Sequence, residues 1–118
     1  MKRYSVSELA SCIDHAVLKP HQTEADIRDA AAMCIDYGVA SMCVRPCDIP
    51  LAAALLEKSS VLVSCVLSFP HGADSIKTKV FQAEQAILAG AREIDMVMNI
   101  GQFLSEHMDY VINDIKAV

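Results

Sequence analysis

The chain has 118 residues, a formal net charge of −5, and 53% apolar residues of which few are aromatic and none is Trp. That length suits one domain over 1–118 and is short for a large α/β enzyme, while an interior left to Ala, Val, Ile, Leu and Met suits a parallel layered α/β structure. The acidic balance argues against a nucleic-acid backbone or an anionic membrane as partner, since both need clustered Lys and Arg, but it leaves a small phosphorylated molecule open.

Ser5-Val6-Ser7-Glu8 has the form of a capping box and predicts a short helix over Val6 to Cys12, a lid or plug. Ile13 to Leu18 predicts a first strand, stopped by Pro20, with Asp14, Ala16 and Leu18 on one face. Thr23 followed by Asp26 starts a second helix, whose Ile27, Ala30, Ala31, Cys34 and Ile35 repeat at helical spacing until Gly38 ends it. Ala40 to Val44 reads as the second strand, and Pro50 opens a helix to about Lys58 with Leu51, Ala54 and Leu55 inward. Val61 to Phe69 is the third strand, closed by Pro70 and Gly72. Asp74 or Ser75 caps the next helix, with Ile76, Val80, Ala83 and Ile87 as its buried stripe and Gly90 as its end. The fourth strand lies within Ala91 to Gly101, and Met108, Val111, Ile112 and Ile115 mark a final helix still running at Val118.

Strand followed by helix, repeated, predicts parallel strands joined by right-handed crossovers. Side chains alternate faces along a strand. One set (Met42 and Val44; Val63, Cys65 and Leu67; Ile94, Met96 and Met98) is wholly apolar and suited to lie under helices. The other (Asp14, Ala16 and Leu18; Cys43 and Arg45; Ser64, Val66 and Ser68; Asp95, Val97 and Asn99) mixes acids, a base and small polar groups. An open doubly wound sheet would need both faces apolar. A (β/α)8 barrel has an inner face free to be polar and places chemistry at the carboxyl ends of its strands, but typically needs ~250 residues. The pattern therefore predicts a parallel (βα)4 half of a TIM (β/α)8 barrel preceded by a short helix.

Four ordered blocks carry a resemblance over the whole chain: Ile13-Asp14-His15-Ala16-Val17-Leu18-Lys19-Pro20; Cys43-Val44-Arg45-Pro46; Phe69-Pro70-His71-Gly72-Ala73; and Gly90 through Gly101 around Glu93-Ile94-Asp95-Met96. They resemble the N-terminal half of the deoxyribose-phosphate aldolase family, class I aldolases with a (β/α)8 barrel. The resemblance implies reversible cleavage of 2-deoxy-D-ribose 5-phosphate to D-glyceraldehyde 3-phosphate and acetaldehyde through a lysine Schiff base, with no metal or organic cofactor. It gives Asp95 the role of proton transfer around the imine, through water and a second lysine. Asp14, Leu18, Cys43 and Phe69 become pocket-lining positions. The family's Schiff-base lysine belongs to strand six, its auxiliary lysine to strand seven and its phosphate site to the last loops, so the resemblance assigns no Schiff-base lysine to these 118 residues. Ala16 stands where the family usually has Thr.

Other readings of the same residues compete with that one. Without the resemblance, Asp95 is as well read as a solvated or paired acid, because a carboxylate is buried only at high cost unless it is partnered. Lys19, Lys77 and Lys79 are conceivable substitute amines, though solvated lysines or cations countering local acids explain them more simply. Cys43 and Cys47 with His15 or His71 make a weak metal pattern, and His71 is also a plain loop residue. Five cysteines, an odd number in helix- or strand-like segments, fit a reducing cytoplasm better than a disulfide frame. The basic start at Met1 is followed by no apolar run, and no stretch approaches the ~20 residues of a membrane span, so a soluble protein is expected. Open sheet edges predict self-association or a complementary C-terminal half. A non-catalytic half-barrel fragment and a small phosphosugar-binding module are the alternatives to an aldolase-like function.

Overall fold

Several of the helix starts follow capping chemistry. The computed structural model describes residues 3–118, so Met1 and Lys2 lie outside the described residues. Helix α1 (Val6–Ala10) opens on a reciprocal box in which the Ser5 N–H donates to the Glu8 carboxylate at 2.7 Å and the Glu8 N–H donates to Ser5 Oγ at 3.2 Å. Helix α2 (Glu24–Tyr37) repeats the device with Thr23 and Asp26, and Gly38 closes it at φ 64°. After a 3-10 turn over Pro46–Asp48 comes α3 (Ile49–Leu56); Ser75, not Asp74, caps α4 (Ile76–Ala89), which ends at left-handed Gly90. Two short helices finish the chain, α5 (Ile100–Leu104) and α6 (Met108–Ala117), where the sequence predicted one.

Strands β1 (Asp14–Val17), β2 (Ser41–Val44), β3 (Leu62–Leu67) and β4 (Glu93–Met96) form one parallel sheet in the order β1-β2-β3-β4. Helices lie side by side over one face: α2 touches β1 and β2, α3 touches β2 and β3, and α4 packs beside α3 and α6. The outward apolar set holds in the middle of the sheet, where Met42, Val44, Val63, Cys65 and Leu67 are buried beneath the helices. Ile94 and Met96 on β4 are half-buried, as an edge strand requires. The radius of gyration, 15.8 Å, exceeds the ~13.5 Å expected of a closed domain of this length. The chain is an open (βα)4 half of a (β/α)8 barrel, whose concave side has one wall.

Several expected details are corrected. Strand β4 ends at Met96, so the alternation predicted through Met98, Asn99 and Ile100 stops there; Asn99 instead caps α5, its Oδ1 accepting from the Gln102 N–H at 3.0 Å. On α3 the buried residues are Ile49, Ala52 and Leu56, and Ala54 is exposed. On α4 they are Lys79, Ala83 and Ala86, while Ile87 is 60% exposed. Ile35 of α2 also faces out. Helix α1 is no plug: it ends at Ala10, which joins the core, and leaves Val6 and Leu9 exposed at the β1 edge.

Candidate active site

Strand parity and register assemble the concave face. Ala16 on β1 lies level with Cys43 on β2, Cys43 with Ser64 on β3, and Ser64 with Glu93 on β4; one step along, Val66 lies level with Asp95. Asp14 heads the first row beside Ser41, whose hydroxyl donates to Asp14 Oδ1 at 2.7 Å. Asp95 is exposed and makes no hydrogen bond or ion pair with other described residues. Its carboxylate is therefore available to a ligand or to water at both oxygens, whereas Asp14 has one oxygen engaged by Ser41. Glu93 was missing from the sequence-based set, although it stands two residues before Asp95 and shares its face by the same alternation.

Cys43 sits among these acids. Burial pushes its thiol above the ordinary cysteine range, a hydrogen bond with Ser64 opposes that, and the charges of Asp95, Asp14 and Glu93 push it further up. Cys65, on the opposite face, is pushed up to about 11 by burial. A thiol held protonated is a poor nucleophile and metal ligand, so Cys43 suits a small neutral wall. Native labelling with iodoacetamide at about pH 8 is expected to modify exposed Cys12 and Cys47 and spare Cys34, Cys43 and Cys65 until urea unfolds the chain. Intact mass reads the outcome, and prompt modification of Cys43 would mean a more open face than the structure shows. Among the described residues no group of three or more His, Cys, Asp or Glu side chains could hold a metal.

The carboxyl ends of the strands are tied down by polar links from outside the sheet. Arg45, expected on the concave face, turns instead to the loop after β1: Nε bonds Asp48 at 2.6 Å, Nη1 donates to the carbonyls of Lys19 (3.2 Å) and Pro20 (3.3 Å), and Nη2 to that of Gln22 (3.1 Å). Leu18 is half-buried and Lys19 exposed beside this clamp. The loop after β3 is held by Gln82, which accepts from the Ser68 N–H at 3.0 Å and donates to Asp74 at 3.1 Å. Phe69 and His71 project from it, exposed. Gly72, at φ 66°, packs so closely on the loop after β4 that a Cβ there would lie 1.9 Å from the Met98 carbonyl oxygen.

The β4 loop has the strongest tie. Lys79 is fully buried, and its Nζ donates to Asp114 Oδ2 at 2.5 Å and to the Val97 carbonyl at 3.0 Å. The same Oδ2 accepts from the Asn99 N–H at 3.2 Å. Lys79 thus counters an acid, as one sequence reading allowed, but deep inside the fold and across 35 residues of chain. That engagement removes it as a substitute amine and leaves Lys19 and Lys77 as the exposed ones.

Asp95 is not walled in. A cleft of about 540 Å³ lies at the opposite, amino-terminal end of the strands near Leu56, Val61 and Arg92, one of about 310 Å³ opens between α3 and α4, and one of about 280 Å³ flanks the β1 edge. None of these three includes an acid of the concave face.

The family model described as DeoC/LacD family aldolase matches residues 9–118. The chain belongs to that family. It is 43% identical over 111 residues to a deoxyribose-phosphate aldolase of Clostridium perfringens, covering 94% of this chain and 50% of that protein. To the deoxyribose-phosphate aldolase of Treponema denticola it is 44% identical over 111 residues, covering 94% and 51%. A Coccidioides immitis crystal structure assigned provisionally as a deoxyribose-phosphate aldolase superposes with a TM-score of 0.93 at 35% identity, covering 99% of this chain and 46% of that one. The tetrameric deoxyribose phosphate aldolase of Aeropyrum pernix gives a TM-score of 0.84 at 31% identity, covering 94% and 46%. This DeoC/LacD family chain therefore spans about half the length of the relatives it matches.

Proposed function

We propose that this chain supplies the acid–base wall of a deoxyribose-phosphate aldolase site, with Asp95 transferring protons while an imine-forming lysine on a partner segment does the covalent step. Asp14, Leu18, Cys43 and Phe69 line the pocket side. The reaction is the reversible cleavage of 2-deoxy-D-ribose 5-phosphate to D-glyceraldehyde 3-phosphate and acetaldehyde. One observation carries the reading: Asp95 is an exposed, unengaged carboxylate on the concave face at the carboxyl end of β4, in a chain 43% identical to an aldolase over most of its length. An unengaged carboxylate can shuttle a proton; one locked in an ion pair, as Asp114 is, cannot do so freely.

Borohydride trapping with acetaldehyde tests the division of labour. The chain alone is expected to gain no adduct, about 28 Da per reduced imine, and a stoichiometric adduct on Lys19 or Lys77 would overturn it. Co-expressed with the C-terminal half of the Clostridium perfringens relative, it is expected to cleave deoxyribose 5-phosphate. Asp95→Asn should then lower turnover by about a hundred- to ten-thousand-fold. Unchanged turnover in that variant removes Asp95 from the mechanism.

The two open sheet edges favour a second reading, a half-barrel that assembles through them, either with a complementary C-terminal half or with itself.

A further inference from the structure

Among the described residues, Lys79 and Asp114 are the two charged side chains that the fold buries completely, and the proton transfer proposed for Asp95 uses neither. An interior ion pair is a poor source of stability, because desolvation of both charges offsets most of their attraction and a well-packed apolar pair often does as well. What an apolar pair cannot do is aim a hydrogen bond. Lys79 Nζ donates to the Val97 carbonyl at 3.0 Å, and Asp114 Oδ2, which takes the ammonium, also accepts from the Asn99 N–H at 3.2 Å. Both extra bonds end on the backbone of one short stretch, 97–99, one gripping a carbonyl and the other an N–H.

That stretch begins two residues after Asp95. Strand β4 ends at Met96 and α5 starts at Ile100, so three residues turn the backbone from strand to helix. The Val97 N–H still reaches the Leu67 carbonyl of β3 at 3.0 Å. Beyond that bond the Val97 carbonyl and the Asn99 N–H go to the buried pair, and Asn99 is also the cap of α5, so a shift there moves the helix as well. Lys79 comes from α4 and Asp114 from α6, both helices of this chain, and each is buried without help from any other segment. A group that moves protons must be placed closely, since a misplacement of about 1 Å can cost on the order of a hundredfold in rate.

We infer that Lys79 and Asp114 are positioning residues for Asp95: the buried pair fixes residues 97–99 and, through them, the placement of the Asp95 carboxylate at the end of β4. The inference rests on the aldolase reading above for what Asp95 does, but not for how its backbone is held.

The variant Lys79→Met/Asp114→Leu tests it, because it keeps a similar volume and removes both backbone bonds. In the full chain, amide exchange followed by NMR is expected to be about ten- to a hundredfold faster at Asn99, the loss of one hydrogen bond to a charged group, while the amides of β2 stay close to their parent rates. Parent-like protection at Asn99 overturns the inference. Co-expressed with the C-terminal half of the Clostridium perfringens relative, the same variant is expected to lose about ten- to a hundredfold in kcat with KM little changed. Added to Asp95→Asn it should cost almost nothing further, because residues that act through one group are not additive. A pair that only stabilises the fold gives full kcat once stability is regained, or a loss that multiplies with that of Asp95→Asn, and either result overturns the inference. A parent complex without turnover, or one that Asp95→Asn leaves unchanged, refutes the aldolase reading instead, and the exchange rates then decide whether the pair holds the loop. If the double variant does not fold, Asp114→Asn takes its place. It keeps the shape and one acceptor, so Asn99 should exchange about three- to tenfold faster, and parent rates there overturn the inference.

Discussion

Lys79→Met is expected to lower the free energy of unfolding by about 3–5 kcal/mol, the cost of stranding the other member of a buried ion pair. Both side chains are fully buried, and Asp114 Oδ1 already has no hydrogen-bond partner among the described residues. Removing the ammonium leaves a buried carboxylate whose one remaining donor is the Asn99 N–H at 3.2 Å, and it also frees the Val97 carbonyl, which Lys79 holds at 3.0 Å. Asp114→Leu strands the ammonium instead and should cost a similar amount. The double variant Lys79→Met/Asp114→Leu should recover most of the loss, since a pair replaced by apolar groups of similar volume is often neutral. Urea midpoints of the three variants check this. Losses that simply add in the double variant would mean that the two residues act separately. An ordinary domain has only about 5–15 kcal/mol of stability, so either single change could bring the chain near its threshold.

Gly72→Ala is the second large effect, and Gly38→Ala is its control. Both glycines have positive φ, 66° and 64°, which costs an L-residue about 1–2 kcal/mol. Around Gly38 a Cβ would meet nothing within 4 Å, so that cost should be the whole effect. At Gly72 the same atom would lie 1.9 Å from the Met98 carbonyl oxygen, 2.8 Å from its carbon and 2.9 Å from Val97 Cγ1. Two of those are backbone atoms, and the Val97 carbonyl beside them is pinned by Lys79, so the β4 loop cannot yield cheaply. Gly72→Ala should therefore cost roughly 2 kcal/mol more than Gly38→Ala in the same denaturation experiment. Equal losses would show that the contact between the β3 and β4 loops carries no energy.

Both predictions concern the face where Asp95 sits. The loops after β1, β3 and β4 are each fastened from behind, by Arg45, by Gln82 and by the Lys79–Asp114 pair. A site needs its groups held in place, and these ties hold the backbone that carries them without occupying Asp95. The structure keeps its charge pairing behind the sheet and leaves the concave side with free acids.

The sequence by itself determined most of what acts over a few residues, the Asn99 cap of α5 being a local device it did not mark. Ser5 with Glu8, Thr23 with Asp26, and the glycines at 38 and 90 mark helix ends because capping closes rings between residues three or four apart. Alternation in β2 and β3 showed which face meets the helices, and the same period exposes Glu93 once it is extended back from Asp95. Only the tertiary structure decided the rest. The stripe of α4 left Ile87 exposed and took in Lys79 because Asp114, 35 residues on, supplies the partner that makes burial of an ammonium tolerable. Arg45 left the concave face because carbonyls more than twenty residues earlier reach its guanidinium. Such pairings join residues brought together by the sheet, and no local period or spacing encodes them.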